Sequence, residues 1–278
     1  MDAAVQTQYV SGPNAESPAR EMFELIKWYM DVVSEDGSAL FAYSARVRWG
    51  AARLSVGSVC HLSACGRVSE ERTLRPGRSP VFEDGRLAWS CGHIGLSGTW
   101  VATAAPIERT LIDDYRGAIE WQCLAPRACA RVRVGDVELH GFGYVERLRI
   151  TLPLAELPFQ RLSWGRHLSS EHALVWIDWH DGPANRWIFL DGVKQANARL
   201  TPHFIDGLDG GRSLRRGASF DLIERPAVAS VARLAPRLVH RVAGPLATMR
   251  EHKQVAESRL FEGTHALDDG WSLYEELT

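Results

Sequence analysis

The sequence lacks the short motifs that announce most enzyme classes. It has no G-x-S-x-G elbow, no H-E-x-x-H, no Walker sequence and no G-x-G-x-x-G in a strand–turn–helix setting. Hydrolase, metalloprotease, nucleotide and nicotinamide chemistry therefore have no motif behind them. Its five cysteines, Cys60, Cys65, Cys91, Cys123 and Cys129, are an odd number with neither C-x-x-C nor Cys/His ligand spacing. That argues against a disulfide framework and a structural zinc, and for a reducing compartment. His167 and His172 are spaced to share a helical face, but no third metal ligand accompanies them. No run approaches the ~18 apolar residues of a membrane span. The opening MDAAVQTQYVSGPNAESPAR lacks the charged and apolar regions of a signal peptide, so a cytoplasmic chain with a flexible leader is expected. Charge of neither sign dominates: 32 Lys and Arg face 34 Asp and Glu, for a formal net charge of −2. Nucleic acid or an anionic membrane as obligate partner has no support in that balance, and a small molecule is the expected partner.

What is present is a soluble globular composition, 45% hydrophobic and 24% charged over 278 residues, enough for one large or two smaller domains. Residues 25–49 alternate as half-buried strands do, with Ile26, Trp28, Met30 and Val32 on one face and a turn at SEDGSA. Further short strands are expected near 53–62, 86–91, 93–102, 117–123, 127–134 and 137–150, and the run ALVWIDWHDGPANRWIFLDG reads as a second hairpin. The glycine-rich DGLDGGRSLRRGAS is expected to be a long surface turn. Residues 228–252 are the expected helical region, interrupted by Pro236 and Gly244-Pro245. Many short strands and little helix predict a β-sandwich or barrel.

Within HGFGYVERLRI, Phe142, Tyr144, Glu146, Leu148 and Ile150 share one strand face, so a carboxylate sits on an apolar, aromatic stripe. Such a group is costly to bury unless it is paired, hydrogen-bonded or protonated. Two readings follow: a structural ion pair with an arginine such as Arg166, or a carboxylic acid with a raised pKa that protonates an alkene, carbonyl or ether oxygen, with Tyr144 orienting it. Trp176, Asp178 and His180 share another face, where Asp178 and His180 either form a proton-transferring pair or mark a strand end turned to water. In the last strand Trp271, Leu273, Glu275 and Leu277 align, repeating the carboxylate-on-apolar pattern and making Glu275 a second-rank candidate. Ten tryptophans, among them Trp28, Trp164 and Trp176, either fill cores or wall an aromatic cavity for a bulky apolar ligand. Aromatic faces also stabilise a cation, which matters if the substrate becomes a carbocation.

Taken in order, KWYMDVVSEDGSALFAY, LHGFGYVE, LSWGR followed by ALVWIDW, and the closing GWSLYEE resemble the carotenoid hydratases (hydroxyneurosporene synthases) and the related AttH-like proteins. The resemblance extends more broadly to tocopherol cyclase and to fungal Diels–Alderases of decalin pathways. It implies two tandem lipocalin-like antiparallel β-barrels, over residues 21–151 and 152–278, after a leader at 1–20 and with a helix at 228–252 in the second. It also implies a ligand cavity between or within the barrels, and neither a metal nor an organic cofactor. The hydratases carry glycine, tyrosine, histidine and an acid at the middle motif; here the residues are Gly143, Tyr144, Val145 and Glu146, so the acid is kept and the histidine is not. The expected activity is a cofactor-free cyclase, isomerase or hydratase of an isoprenoid or polyketide. Glu146 would be the general acid, assisted by Tyr144. Asp178, Arg166 and His180 would be polar wall residues, and Trp28, Trp164 and Trp176 would shape the substrate. The alternative is a carrier of a lipid, pigment or secondary metabolite.

Overall fold

Alternating side chains and glycine-bearing turns set the strands, and the computed structural model shows what they pair with. It describes residues 23–180, 185–229 and 244–278. The first half of the chain forms β1 (Phe23–Val33), β2 (Ala39–Trp49), β3 (Ala52–Leu62), β4 (Val68–Thr73), β5 (Val81–Glu83), β6 (Arg86–Cys91), β7 (Leu96–Ala102), β8 (Ile107–Asp114), β9 (Gly117–Val134) and β10 (Val137–Ile150). The second half forms β11 (Leu162–Ser169), β12 (Ala173–Asp178), β13 (Arg186–Leu190), β14 (Val193–Lys194), β15 (Arg199–Leu200), β16 (Phe204–Leu208), β17 (Arg212–Pro226), β18 (Arg250–Glu262) and β19 (His265–Leu277).

Each half is one antiparallel sheet curled into a half-barrel, and the two share a topology. The first runs β4-β3-β2-β1-β10-β9-β7-β6-β5, with β8 added on β9; the second runs β14-β13-β12-β11-β19-β18-β17-β16-β15. In both, the first long strand pairs with the last. Two glycines fix the correspondence. A Cβ on Gly141 of β10 would lie 1.9 Å from the Val33 carbonyl oxygen, and one on Gly270 of β19 would lie 2.1 Å from that of Leu168, so both strand crossings demand glycine. With these two matched, the registers make Tyr29 equivalent to Trp164, Asp31 to Arg166 and Glu146 to Glu275. Equivalent residues also touch: the Tyr29 and Trp164 rings meet edge-on at 4.7 Å, and Asp31 pairs with Arg166 at 2.7 Å. A pseudo-twofold axis therefore passes between β1 and β11.

Three apolar cores result. Trp28, Met30, Val32 and Trp100 pack inside the first half-barrel, and Trp176, Leu174, Ile188 and Leu214 inside the second. The third core lies between the sheets and draws Tyr29, Phe41, Trp121 and Tyr144 from one and Trp164, Val175, Phe189 and Leu273 from the other. At about 1.5–3 kcal/mol for each large apolar side chain taken out of water, this shared core holds the halves together. From Trp28 to Val33 β1 is consequently buried on both faces.

Three expectations change. β9 runs unbroken through Pro126, which has no N–H to give, and the ladder with β10 absorbs it as bulges opposite Gly143–Glu146. The tract at 206–219 is a strand end, a single turn at Asp209–Gly211 and the start of β17, not a long surface turn. The helix expected over 228–252 falls mostly outside the described residues. Gly244–Ala247 is a 3-10 turn, and from Arg250 the chain is strand, because it pairs with β17 and β19.

Candidate functional site

Between the sheets, next to the axis, lies a cavity of ≈ 200 Å³. Its apolar wall includes Leu148, Ile150, Leu157, Phe159, Ile177 and Trp179; its polar end carries Lys27, Tyr29, Tyr43, Glu146, Lys253 and Glu275. Glu146 projects there because β10 alternates: Val145 enters the first half-barrel core, while Tyr144 joins the shared one.

Three neutral donors converge on one oxygen of Glu146. The Trp121 indole N–H gives to Oε2 at 2.6 Å, the Tyr144 hydroxyl at 2.7 Å and the Trp164 indole N–H at 3.2 Å. Among the described residues none donates to Oε1, and no cation lies within salt-bridge distance. Burial pushes the carboxyl up from its ordinary value; the Trp121 and Tyr144 hydrogen bonds, the Lys27 charge and the Trp164 bond oppose this only in part. With three donors on Oε2, the protonated form of the acid carries its proton on Oε1.

Glu275 is the counterpart of Glu146 in the second half. It occupies the equivalent place in β19, yet the residue across the neighbouring strand is Lys253, where Glu146 faces Cys123. Burial raises the Glu275 carboxyl as well, but Lys253, which donates to Oε2, and then Lys27 outweigh it, and the net direction is down. One carboxylate position is thus pushed up by burial in the first half and held down by an ion pair in the second. The Lys253 ammonium lies 5.1, 5.0, 5.5 and 5.1 Å from the ring centroids of Tyr29, Phe41, Tyr43 and Trp164, so the aromatic faces expected to await a substrate cation already hold the protein's own. Beyond it Glu251 is buried and raised, by burial first and then by Glu275, and Arg225 bridges it to Glu70.

Of the residues expected from sequence, Glu146, Tyr144, Trp164 and Glu275 come together here. The others do not. Arg166 is fully buried but pairs with Asp31, through Nη2 at 2.7 Å and Nε at 3.1 Å, leaving Glu146 without an arginine. Trp28 is interior to the first half-barrel beneath Arg147, and Trp176 to the second, its indole lying against Gly165. Asp178 and His180 form no side-chain pair. The Asp178 carboxylate takes Arg186 at 2.6 Å and the His180 backbone N–H at 2.8 Å, while the His180 imidazole turns to Glu276 at 3.8 Å because a φ of 59° has ended the strand. Sequence reading missed Trp121, Tyr29, Tyr43, Lys27 and Lys253. The alternation of Ile119, Trp121 and Cys123 on β9 was the one available signal for Trp121. Among the described residues no group of three His, Cys, Asp or Glu could hold a metal, and no helix is long and apolar enough to cross a membrane.

No protein-family model matches this chain, and no curated protein does. Solved structures match along most of its length. A protein described as an AttH candidate from Nitrosomonas europaea has 12% identity and a TM-score of 0.57, with 100% of this chain and 99% of that one covered. CghA in complex with Sch210972 has 12% identity and a TM-score of 0.55, covering 92% and 88%. Kievitone hydratase from Nectria haematococca has 10% identity and a TM-score of 0.54, covering 91% and 88%. What the chain shares with them is the fold, two tandem lipocalin-like antiparallel half-barrels.

Proposed function

We propose that the protein is a cofactor-independent lyase or isomerase, of hydratase or cyclase type, that acts on a hydrophobic isoprenoid or polyketide metabolite by general-acid catalysis from Glu146. The observation that carries this reading is a carboxyl group at the cavity, pushed up by burial, with three donors on one oxygen and, among the described residues, none on the other. A carrier has no use for such an acid. The name of kievitone hydratase, one of the similar structures, supports the same class.

In the proposed step the Oε1–H bond breaks, and the proton passes to a substrate carbon or oxygen as negative charge develops on the carboxyl. The Trp121, Tyr144 and Trp164 donors already point at Oε2 and stabilise that charge without rearranging. The carboxylate regains its proton from a neighbouring C–H, which completes an isomerisation or cyclisation, or from an adding water, which completes a hydration. At ≈ 200 Å³ the cavity is below the roughly 300–1,000 Å³ usual for small-molecule sites, so it takes one end or one ring of an extended substrate.

The test is incubation with linear isoprenoids and polyenes in heavy water beside Glu146→Gln, following product masses. Deuterium appearing at carbon with the intact protein and lost in the variant is the expected result. Tight retention of a panel member with neither label nor product would instead identify a carrier, and a new ring without label would reduce Glu146 to a binding role.

A further inference from the structure

Two ammonium groups line the cavity that holds Glu146, and they differ in kind. Lys253 is fully buried, paired with Glu275 and enclosed by four rings. Lys27 lies on β1 two residues before Tyr29, which faces Glu146 in register, so it shares the cavity face and sits diagonal to the acid. Its Nζ stands 4.3 Å from the Tyr43 ring centroid. Among the described residues no carboxylate lies within salt-bridge reach of it and no acceptor takes its N–H groups. The nearby acids are engaged elsewhere: Glu275 by Lys253, and Glu251 by Arg225, which also binds Glu70. Lys27 thus brings to the cavity a half-buried ammonium that pairs directly with no described carboxylate and acts on Glu146, Glu251 and Glu275 only at longer range.

We infer that Lys27 anchors an anionic or strongly polarised oxygen of the substrate, which makes the substrate a hydrophobic molecule with a carboxylate or conjugated carbonyl next to the bond that is protonated. This rests on the reading of Glu146 as the acid. Lys253 is matched by Glu275, so it is the Lys27 charge near Glu146 that disfavours a carbocation there and favours negative charge developing on oxygen. Hydration of a conjugated carbonyl in this site needs no co-reactant beyond water. A lone pair of the water forms the bond to the β carbon, the alkene π pair shifts to the bond between the α carbon and the carbonyl carbon, and the carbonyl π pair moves onto the oxygen held by Lys27. The enolate then takes the Oε1 proton of Glu146 at the α carbon and the C=O re-forms. The proton released by the added water returns to the Glu146 carboxylate.

Binding tests this without turnover, read by the fluorescence of Trp121 and Trp164 in the cavity wall. The intact chain is titrated with geranic acid and with geraniol, which share one skeleton and differ in carboxylate against alcohol, at about pH 8 where the acid is ionised. We expect geranic acid to bind roughly tenfold more tightly. Lys27→Met loses the difference and keeps the geraniol affinity, Lys27→Arg restores part of it, and Glu146→Gln keeps it; Lys27→Gln replaces the methionine variant if that one does not fold. Equal binding of the two by the unmodified protein, no binding of either, or a preference that survives loss of Lys27 overturns the inference. If Glu146→Gln leaves deuterium incorporation intact, the acid reading fails while a Lys27-dependent preference still stands.

Discussion

Asp31→Leu cuts the polar contact closest to the pseudo-twofold axis. It removes the two Arg166 bonds, at 2.7 and 3.1 Å, and the Tyr29 hydroxyl bond at 3.0 Å. Both members of the ion pair are 0% exposed, so no water takes the place of Asp31. The guanidinium keeps one bond, from Nη1 to the Trp271 carbonyl at 2.8 Å. Breaking a buried pair on one side costs about 3–5 kcal/mol, and the stranded Tyr29 hydroxyl about 1 more. That is a large part of the roughly 5–15 kcal/mol that keeps an ordinary domain folded, and it corresponds to a fall in Tm on the order of 10 °C. Replacing both partners, as Asp31→Leu with Arg166→Met, removes the stranded charge and is expected to return to within about 2 kcal/mol of the unmodified protein. Urea unfolding followed by tryptophan fluorescence measures all three proteins. A loss below about 1 kcal/mol in the single variant, or a double variant as unstable as the single one, would refute the reasoning.

Glu146 gives a pH signature of opposite sign to that of an ion-paired carboxylate. Its folded pKa is raised, so its contribution to stability is fully present below the unfolded value of about 4.3 and is lost as pH rises through the folded value. Glu146→Gln should therefore gain stability relative to the unmodified protein as pH rises from about 4 toward neutrality, and urea midpoints showing the reverse trend would contradict a raised pKa. Gly141→Ala puts a Cβ 1.9 Å from the Val33 carbonyl oxygen, a backbone clash that cannot relax by a rotamer change, and should cost more than the ~1–3 kcal/mol of ordinary overpacking. Thermal unfolding checks it, and an unchanged Tm would mean that β1 and β10 do not cross so closely.

Strand alternation made much of this legible. The stripe Phe142, Tyr144, Glu146, Leu148 and Ile150 does face one environment, and so does Trp271, Leu273, Glu275 and Leu277. Alternation fails where both faces of a strand are buried. On β1 the face with Trp28, Met30 and Val32 is apolar by composition, but on the other face Lys27 and Tyr29 line the cavity and Asp31 meets Arg166 of the second sheet. Partners across the two sheets leave no mark in local sequence: Arg166 meets a carboxylate 135 positions away, and Lys253 is a single lysine in an ordinary strand whose rings come from β1, β2 and β11. The Asp178–His180 pairing fails for a local reason, since two residues share a strand face only while the strand lasts.

The pairing of Asp31 with Arg166 has a consequence for how such a chain can be assembled. Because these are the same position in the two halves, a dimer built from two copies of either half alone would set two aspartates or two arginines against each other in a dry interface. Opposite charges at one position require two different copies, which joining in a single chain guarantees. The interface thus discourages either half from pairing with itself and rewards it for pairing with its counterpart. The same broken symmetry separates Glu146 from Glu275: the half whose interface position carries the aspartate also carries the carboxyl that has no lysine across the strand.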